Sequence, residues 1–303
     1  MRVAYLGTSD FAATVLRRLA DSPVRPALVV APPDRPKGRG RKVSPPPVAV
    51  AARELGLPVH QTASVNQPES VAELERAGVD VAMVCAFGQL IKPPLLDELL
   101  FLNVHPSLLP RWRGAAPIER AIMAGDERTG VAVMRLTEGL DSGPVALLEE
   151  TPIGPDEDYG SLAQRLAEIG GELAVRALEA HERGELRFTE QDESAVTYAE
   201  KIDPAERRLD PARPADELAR AVRALTPHIG AYLELEGGDR LGVRRARAVP
   251  GGPARGEFEA RDDALVLGTG EGALAIEVVR PSGGRDVSAA DYLRGYPLPA
   301  LAP

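Results

Sequence analysis

The chain contains a single cysteine, Cys85, and only four histidines, at positions 60, 105, 181 and 228. One cysteine cannot form a disulfide framework within the chain, so the composition favours a reducing compartment such as the cytoplasm. Cys85 lies in the apolar run Val-Ala-Met-Val-Cys-Ala-Phe, where we expect a buried core residue rather than a reactive thiol. The histidines and the cysteine show no metal-ligand spacing, so we expect no metal ion.

Long apolar runs are also absent. No stretch reaches the roughly 18 apolar residues that a membrane-spanning helix needs, and the N-terminal segment lacks the features of a secretory signal peptide. The turn at Gly7–Asp10 contains one glycine, with neither Gly-x-Gly-x-x-Gly nor a Walker-type lysine. We therefore expect a cytoplasmic protein with no membrane partner, and no dinucleotide or ATP site at this turn.

Excess positive charge is missing as well, since the net charge is −9. This total argues at first against a nucleic-acid partner. From Arg207 onwards, however, 14 basic and 14 acidic residues balance, and every basic residue is arginine. Arginine is well suited to bind phosphate, so local patches matter more here than the total charge.

The composition is that of a globular protein, with 44% hydrophobic and 27% charged residues, and the length fits two domains. Apolar runs without alternation occur at Val3–Leu6, Ala27–Ala31 and Val79–Phe87. Separated by helical stretches, they predict a mostly parallel α/β sheet of the Rossmann-like kind. Thr8 or Ser9 can cap the first helix. Helical patterns are predicted over Phe11–Ala20, Val48–Leu55, Pro68–Ala77, Pro117–Met123, Ser161–Arg183 and Ala215–Leu225.

The character of the sequence changes after residue 188. A polar linker is predicted over 189–206, followed by short β-rich runs separated by Gly-Gly, Pro-Gly-Gly and Gly-x-Gly turns. This pattern indicates a small β-barrel or sandwich. We therefore predict a catalytic domain at 1–188, a linker at 189–206 and a β-domain at 207–303.

Three polar side chains are candidates for catalysis. Asn103 and His105 lie two apart on a predicted strand, so they share a face near its carboxyl end, where open α/β sheets bind ligands. Asp141 follows the predicted strand Gly130–Leu136, inside Gly-Leu-Asp-Ser-Gly. Each has an ordinary alternative: a structural histidine, or an Asx-turn at Asp141. Together, an amide, an imidazole and a carboxylate form a coherent catalytic set.

The segment Ser107–Ile118, which reads Ser-Leu-Leu-Pro-Arg-Trp-Arg-Gly-Ala-Ala-Pro-Ile, resembles the signature loop of the methionyl-tRNA formyltransferase family. Further segments agree in order and spacing, so the resemblance covers nearly the whole chain. These segments are Gly7–Ala12, Pro33–Gly40, Gly125–Gly130, Leu140–Gly143 and Thr197–Ile202. Two positions depart from the family pattern: Ser9 replaces a common proline, and Ser-Gly-Pro follows Asp141 in place of Thr-Gly-Asp.

The resemblance implies a Rossmann-like formyltransferase domain followed by an OB-like β-barrel. It implies Asn103, His105 and Asp141 as the catalytic trio, 10-formyltetrahydrofolate as the formyl donor, and initiator methionyl-tRNA as the acceptor for translation initiation. Formyl transfer suits the trio, because an amide or imidazole can stabilise the oxyanion and a carboxylate can help to relay the proton. No metal is required, and we expect a monomer. The implied folate site comprises Phe87, Gly88, Gln89 and Leu90, with Ser107, Leu108, Leu109 and Pro110.

Basic residues provide candidates for tRNA binding. The Gly- and Pro-rich segment Asp34–Lys42 carries Arg35, Lys37, Arg39, Arg41 and Lys42. We expect it to be an extended loop that follows a phosphate backbone, and the resemblance implies contact with the acceptor arm. Arg111 and Arg113 flank the candidate catalytic residues and are predicted to hold the terminal nucleotides. Arg245 and Arg247, predicted to share one strand face, belong to a stretch from Arg240 to Arg255 without an acid.

Three other functions remain open at this point. A formyltransferase for glycinamide ribonucleotide or an amino sugar, and a formyltetrahydrofolate hydrolase, would share the trio but would leave the β-domain unexplained. A non-catalytic RNA-binding protein would not need the trio. Formyl transfer to initiator methionyl-tRNA alone would decide between these functions.

Overall fold

The computed structural model describes residues 1–37 and 42–302. The chain divides into two compact units. The first comprises Met1–Pro117, Arg128–Pro152 and Ala163–Ala199, and the second comprises Ile118–Glu127, Ile153–Leu162 and Glu200–Pro303. This division differs from the predicted boundaries in two ways. The predicted linker groups with the first unit as far as Ala199, and two segments of the predicted catalytic domain, Ile118–Glu127 and Ile153–Leu162, group with the second unit.

The first unit contains eleven strands among the described residues. They are β1 (Val3–Gly7), β2 (Leu28–Ala31), β3 (Arg35–Lys37), β4 (Lys42–Ser44), β5 (Val59–Gln61), β6 (Val81–Cys85), β7 (Leu100–His105), β8 (Arg113–Gly114), β9 (Arg128–Arg135), β10 (Val145–Pro152) and β11 (Tyr198–Ala199). Along the chain run the helices α1 (Asp10–Ala20), α2 (Pro47–Glu54), α3 (Pro68–Arg76), α4 (Leu95–Glu98), α5 (Pro117–Ala124) and α6 (Tyr159–Glu182).

Seven of these strands form the central sheet, in the order β10-β9-β7-β6-β1-β2-β5. The five strands from β7 to β5 are parallel. β9 pairs antiparallel with β7, and β10 pairs antiparallel with β9. Every residue of β1 and β6 is buried, as expected of parallel strands covered on both faces. The predicted mostly parallel α/β fold is confirmed.

Local interactions explain how the chain turns from β1 into α1. Ser9 caps the helix, since its side chain accepts a hydrogen bond from the amide of Ala12. The hydroxyl of Tyr5 donates to the carbonyl of Ala12 at 2.6 Å. There is little room for a side chain at Gly7, because a Cβ there would lie 3.0 Å from the Cβ of Ala12. The predicted cap and the predicted burial of Cys85 are both confirmed.

The basic segment after β2 differs from the predicted extended loop. β3 and β4 pair as an antiparallel hairpin, with Arg35 opposite Ser44. The predicted tRNA contacts Arg39 and Arg41 lie outside the described residues.

The second unit is β-rich, as predicted. Its strands are β12 (Ala231–Glu234), β13 (Arg240–Val249), β14 (Phe258–Arg261), β15 (Ala264–Gly268), β16 (Ala273–Arg280) and β17 (Val287–Ser288). They form an antiparallel sheet in the order β12-β13-β16-β15-β14, with β17 also paired to β16. Two helices, α7 (Ala215–Leu225) and α8 (Ala289–Gly295), belong to this unit. No helix within the described ranges is long and apolar enough to span a membrane.

Candidate active site

The candidate site lies at the end of β7, between β6 and the antiparallel β9. Asn103 and His105 are two apart on this strand, so their side chains point to the same face. Both are nearly buried, at 9% and 4% exposure. A polar side chain inside an apolar sheet needs hydrogen-bonding partners, and the segments around β7 supply them to His105.

The backbone of Trp112 determines which nitrogen of His105 carries the proton. His105 Nε2 lies 2.9 Å from the carbonyl oxygen of Trp112. A carbonyl can only accept, so Nε2 carries the hydrogen that is donated. The other ring nitrogen, Nδ1, faces the carboxylate of Asp141 at 3.7 Å. With the hydrogen on Nε2, it is Nδ1 that lies on the side of Asp141.

Asp141 reaches this position from the loop between β9 and β10. Its φ of 45° lies in the left-handed region, which a non-glycine residue adopts only when its surroundings support it. Oδ2 accepts a hydrogen bond from the amide of Gly114 at 2.8 Å, and the carbonyl accepts one from Gln191 Nε2 at 2.8 Å. The carboxylate thus accepts a hydrogen bond from a segment distant in sequence, instead of from its own turn as in an Asx-turn. The structure thus places the Asp141 carboxylate beside the His105 ring.

Residues 191–199 hold the loop that follows β7. The amide of Trp112 donates to Thr197 Oγ1 at 2.9 Å, and the amide of Arg113 donates to the Thr197 carbonyl at 2.9 Å. β8 then pairs with β11, with Gly114 opposite Ala199. A Cβ at Gly114 would lie 2.8 Å from the carbonyl oxygen of Ala199, so this pairing needs glycine.

Gln191 links the two segments that bear on His105 and Asp141. Its Nε2 donates to the carbonyls of Asp141 and Gly143, at 2.8 and 2.7 Å. Its Oε1 accepts a hydrogen bond from Arg113 Nε at 3.0 Å. Sequence reasoning missed Gln191, which lay in the predicted linker. Thr197 was flagged only as part of a segment that resembles the family.

The surroundings of Arg113 give no support to its predicted contact with tRNA. Its side chain is only 3% exposed, and its guanidinium pairs with Glu193 at 2.7 Å as well as with Gln191. Burial and these partners make it a structural residue that fastens the loop. Arg111, in contrast, is half-buried, and its guanidinium lies 4.4 Å from the centre of the Trp112 ring.

The predicted folate residues lie on two segments that leave the same edge of the sheet. Phe87, Gly88, Gln89 and Leu90 follow β6, and Ser107, Leu108, Leu109 and Pro110 follow β7. Because β6 and β7 are parallel neighbours, their carboxyl ends border one crevice.

The hydrogen bonds and exposure of these side chains show which of them support the two segments and which are accessible to solvent. The Gln89 side chain accepts from the amide of Val65 and donates to the carbonyl of Thr62, so it supports the segment from within. Ser107 is buried and its hydroxyl donates to the carbonyl of Arg111 at 2.6 Å. Leu90, at 65% exposure, presents an apolar surface to solvent.

The charges around Arg245 and Arg247 give no support to their predicted contact with tRNA. The two side chains share a face as expected, but both guanidiniums pair with the same carboxylate, Glu277, at 2.7 and 3.3 Å. They border a hollow of about 420 Å³ that is also lined by Arg261, Asp262 and Asp263. Three arginines thus meet three acids, and the hollow has no excess positive charge.

Comparison with known proteins shows the family of the chain. Residues 1–178 match the Formyl transferase family, and residues 201–297 match the Formyl transferase, C-terminal domain family. A methionyl-tRNA formyltransferase from Halorhodospira halophila is 45% identical over 302 residues, covering 98% of this chain and 97% of that protein. One from Parvibaculum lavamentivorans is 44% identical, covering 98% of each.

Solved structures support the fold. An N-formyltransferase from Helicobacter canadensis, determined with folinic acid and dTDP-3-aminofucose, has a TM-score of 0.69 at 14% identity, covering 95% of this chain and all of that one. HypX from Aquifex aeolicus with tetrahydrofolic acid has a TM-score of 0.65 at 21% identity, covering 97% of this chain and 47% of that one. With near-full-length relatives above 40% identity, the chain belongs to the formyl transferase family, in its methionyl-tRNA formyltransferase group.

Proposed function

We propose that this chain transfers the formyl group of 10-formyltetrahydrofolate to the amino group of methionyl-initiator tRNA, giving formylmethionyl-tRNA for translation initiation. The observation that carries the proposal is the arrangement of His105, whose Nε2 is fixed on the Trp112 carbonyl while Nδ1 faces Asp141 at 3.7 Å. The full-length relatives named for this activity support the choice of substrates.

Bond formation needs a hydrogen-bond donor for the developing oxyanion. The acceptor nitrogen attacks the formyl carbon, and the carbonyl oxygen gains negative charge in a tetrahedral adduct. The Asn103 amide, on the same strand face as His105, supplies an NH₂ donor to that oxygen. Because Asn103 is nearly buried, its hydrogen bond strengthens where water is scarce. Losing such a donor typically slows catalysis by about 10²- to 10³-fold.

Proton transfer falls to His105 and Asp141. The attacking amine must lose one proton, and the folate nitrogen whose bond to carbon breaks must gain one. The lone pair on His105 Nδ1 accepts the first proton, and the Asp141 carboxylate stabilises the imidazolium that forms. Gly114 fixes the orientation of this carboxylate through its amide. The same imidazolium then returns the proton to the leaving nitrogen, so the net charge is unchanged.

We propose that the two segments after β6 and β7 bind the folate. Gly88 and Leu90 offer main-chain groups at one side of the crevice, and Leu108 to Pro110 line the other. We propose that the basic residues of the sequence segment 35–42 contact the acceptor arm; these are Arg35, Lys37, Arg39, Arg41 and Lys42. Arg111 is proposed to contact the terminal nucleotides. A tRNA substrate places the reaction in the cytoplasm, and we expect the chain to act as a monomer.

The test measures transfer of labelled formyl from 10-formyltetrahydrofolate to four acceptors: initiator methionyl-tRNA, elongator methionyl-tRNA, glycinamide ribonucleotide and an amino-sugar nucleotide. We expect transfer to the initiator alone. Asp141→Asn should lower kcat by about 10²-fold or more without raising KM for tRNA, and Asp97→Asn, an exposed site on α4, is the matched control. Transfer to a small acceptor, or full activity of Asp141→Asn, would contradict the proposal.

A further inference from the structure

A short loop after β5 holds the segment that follows β6, which is one wall of the crevice. We call residues 62–66 the anchor loop and residues 86–92 the crevice segment. The crevice segment contains two left-handed backbone angles, φ 44° at Ala86 and φ 73° at Gly88. A residue other than glycine keeps such an angle only where its surroundings support it. One support comes from Thr8, whose hydroxyl donates to the carbonyl of Phe87 at 2.8 Å, and others come from the anchor loop.

Asn66, at the end of the anchor loop, holds the last residues of the crevice segment with both polar atoms of its side chain. Its Nδ2 donates to the carbonyl of Leu90 at 2.7 Å, and its Oδ1 accepts a hydrogen bond from the amide of Lys92 at 2.9 Å. One side chain thus bonds two main-chain groups, on either side of the buried Ile91. Because a carbonyl needs a donor and an amide needs an acceptor, only a side chain that does both can make this pair of bonds.

Gln89 makes the same kind of contact in the opposite direction, from the crevice segment to the anchor loop. Its Oε1 accepts a hydrogen bond from the amide of Val65 at 2.8 Å, and its Nε2 donates to the carbonyl of Thr62 at 2.9 Å. Val65 is fully buried and belongs to the same apolar core cluster as Phe87 and Ile91. The two side-chain amides therefore make four hydrogen bonds between the loop and the segment, which also share an apolar core.

The anchor loop is itself fixed by buried hydroxyl groups. The hydroxyl of Ser70 on α3 donates to Thr62 Oγ1 at 3.0 Å, and the hydroxyl of Thr62 donates to the carbonyl of Ser64 at 2.9 Å. His60 on β5 lies with Nε2 3.0 Å from Ser70 Oγ. The amide of Thr62 donates to the carbonyl of Ala31, the last residue of β2, at 2.9 Å. The loop is therefore held by the sheet and by α3, and it can hold the crevice segment in turn.

We propose that Asn66 is a positioning residue for the folate: it holds the main chain at Leu90 and Lys92, so that the crevice segment keeps the conformation that binds the folate. The inference rests on the proposed function, because it takes this segment as part of the folate site. Without Asn66 the segment populates other conformations, and the apparent affinity falls with the fraction of molecules that can bind. Saturating folate restores the bound conformation. The loss therefore appears in KM for folate and not in kcat.

The test compares three variants of the full chain by binding of folinic acid, a stable formylated folate, and by steady-state formyl transfer. Asn66→Leu removes both hydrogen bonds while keeping a side chain of similar size. Gln89→Leu removes the two bonds that join the same loop and segment from the other side. Gln61→Leu is the matched control, because Gln61 Nε2 donates to the carbonyl of Pro32 and to Asp34 Oδ1, at 3.0 and 2.7 Å, and not to the crevice segment. Melting temperatures verify that each variant folds.

We expect Asn66→Leu to bind folinic acid about tenfold more weakly and to raise KM for 10-formyltetrahydrofolate by about the same factor, with kcat and KM for tRNA unchanged. Gln89→Leu should change the same two constants in the same direction, and Gln61→Leu should change neither. A residue that only stabilised the fold would lower the melting temperature without this split between KM and kcat. Unchanged affinity of Asn66→Leu for folinic acid, or an equal loss in Gln61→Leu, would overturn the inference.

Hydrogen exchange of the Lys92 amide gives a local readout of the same contact. This amide donates to Asn66 Oδ1, so its exchange should be faster in Asn66→Leu and should slow again when folinic acid is bound; exchange that the substitution leaves unchanged would contradict the inference. If the unaltered protein formylates initiator methionyl-tRNA and Asn66→Leu has the same KM for folate, the inference alone is wrong. If the unaltered protein neither binds folinic acid nor transfers formyl, the proposed function is contradicted and the inference fails with it.

Discussion

Replacing Gln191 with leucine should destabilise the first unit and slow the reaction. The change removes two hydrogen bonds to the carbonyls of Asp141 and Gly143 and one from Arg113. A hydrogen bond contributes about 1 kcal/mol net, and a buried group left unpaired costs about 1–3 kcal/mol. The three losses together should lower the free energy of unfolding by about 3 kcal/mol. Asp141 would also lose the contact that supports its positive φ.

Urea unfolding and steady-state kinetics together check this reasoning. We expect the unfolding midpoint of Gln191→Leu to fall without a change in slope. We also expect kcat to drop by about 10- to 100-fold because the carboxylate is misplaced, while KM for tRNA stays unchanged. Gln164→Leu, at an exposed position of α6, should change stability by less than about 0.5 kcal/mol. A loss below about 1 kcal/mol with full kcat would show that Gln191 does not hold Asp141 in place.

Two further predictions follow from titratable groups. Burial raises the pKa of the Cys85 thiol to about 12, so a thiol reagent at about pH 8 should label the native protein far more slowly than the urea-unfolded protein; equal rates would contradict its burial. A hydrogen bond from Arg120 lowers the pKa of Glu206 below its usual value of 4.5. Its stabilising effect should therefore be complete above that usual pKa and be lost as the pH falls through the lower, folded-state pKa. The test measures the free energy of unfolding of the unaltered protein and of Glu206→Gln at several pH values from about 6 down to about 3. The difference between the two proteins should become smaller as the pH falls; a difference that stays constant would refute this.

Much of the first unit could be predicted because its signals are local. Uninterrupted apolar runs predicted β1, β2 and β6, and the i, i+2 spacing placed Asn103 and His105 on one face. Strands β5 and β10 were missed because β5 is only three residues long and most residues of β10 are half-buried or exposed, so neither shows the pattern of a buried strand.

The rest depends on contacts between distant segments. Asp141 is held by Gly114 and Gln191, which are 27 and 50 residues away, and no spacing rule relates these positions. Arg113 was assigned to tRNA on its charge, but only the fold shows that Glu193 and Gln191 enclose it.

The arginines of β13 illustrate a different limit. Simple alternation would put Arg244 and Arg245 on opposite faces, but it cannot tell which acid each of them pairs with. The register of β13 against β16 shifts on both sides of Arg245, as at a β-bulge. Arg244, only 16% exposed, shares Asp286 with Arg280, while Arg245, 70% exposed, pairs with Glu277. Charge along the sequence could suggest a basic surface but not the acid that each arginine pairs with.

The pairing of β8 with β11 has a consequence for anyone who wishes to isolate the catalytic half of this protein. A fragment ending at residue 188, the boundary predicted from the sequence, would retain Asn103, His105 and Asp141. It would lose Gln191, Thr197 and the strand that pairs with Gly114. The eleven residues up to Ala199 therefore belong to the smallest fragment in which these three side chains keep their geometry.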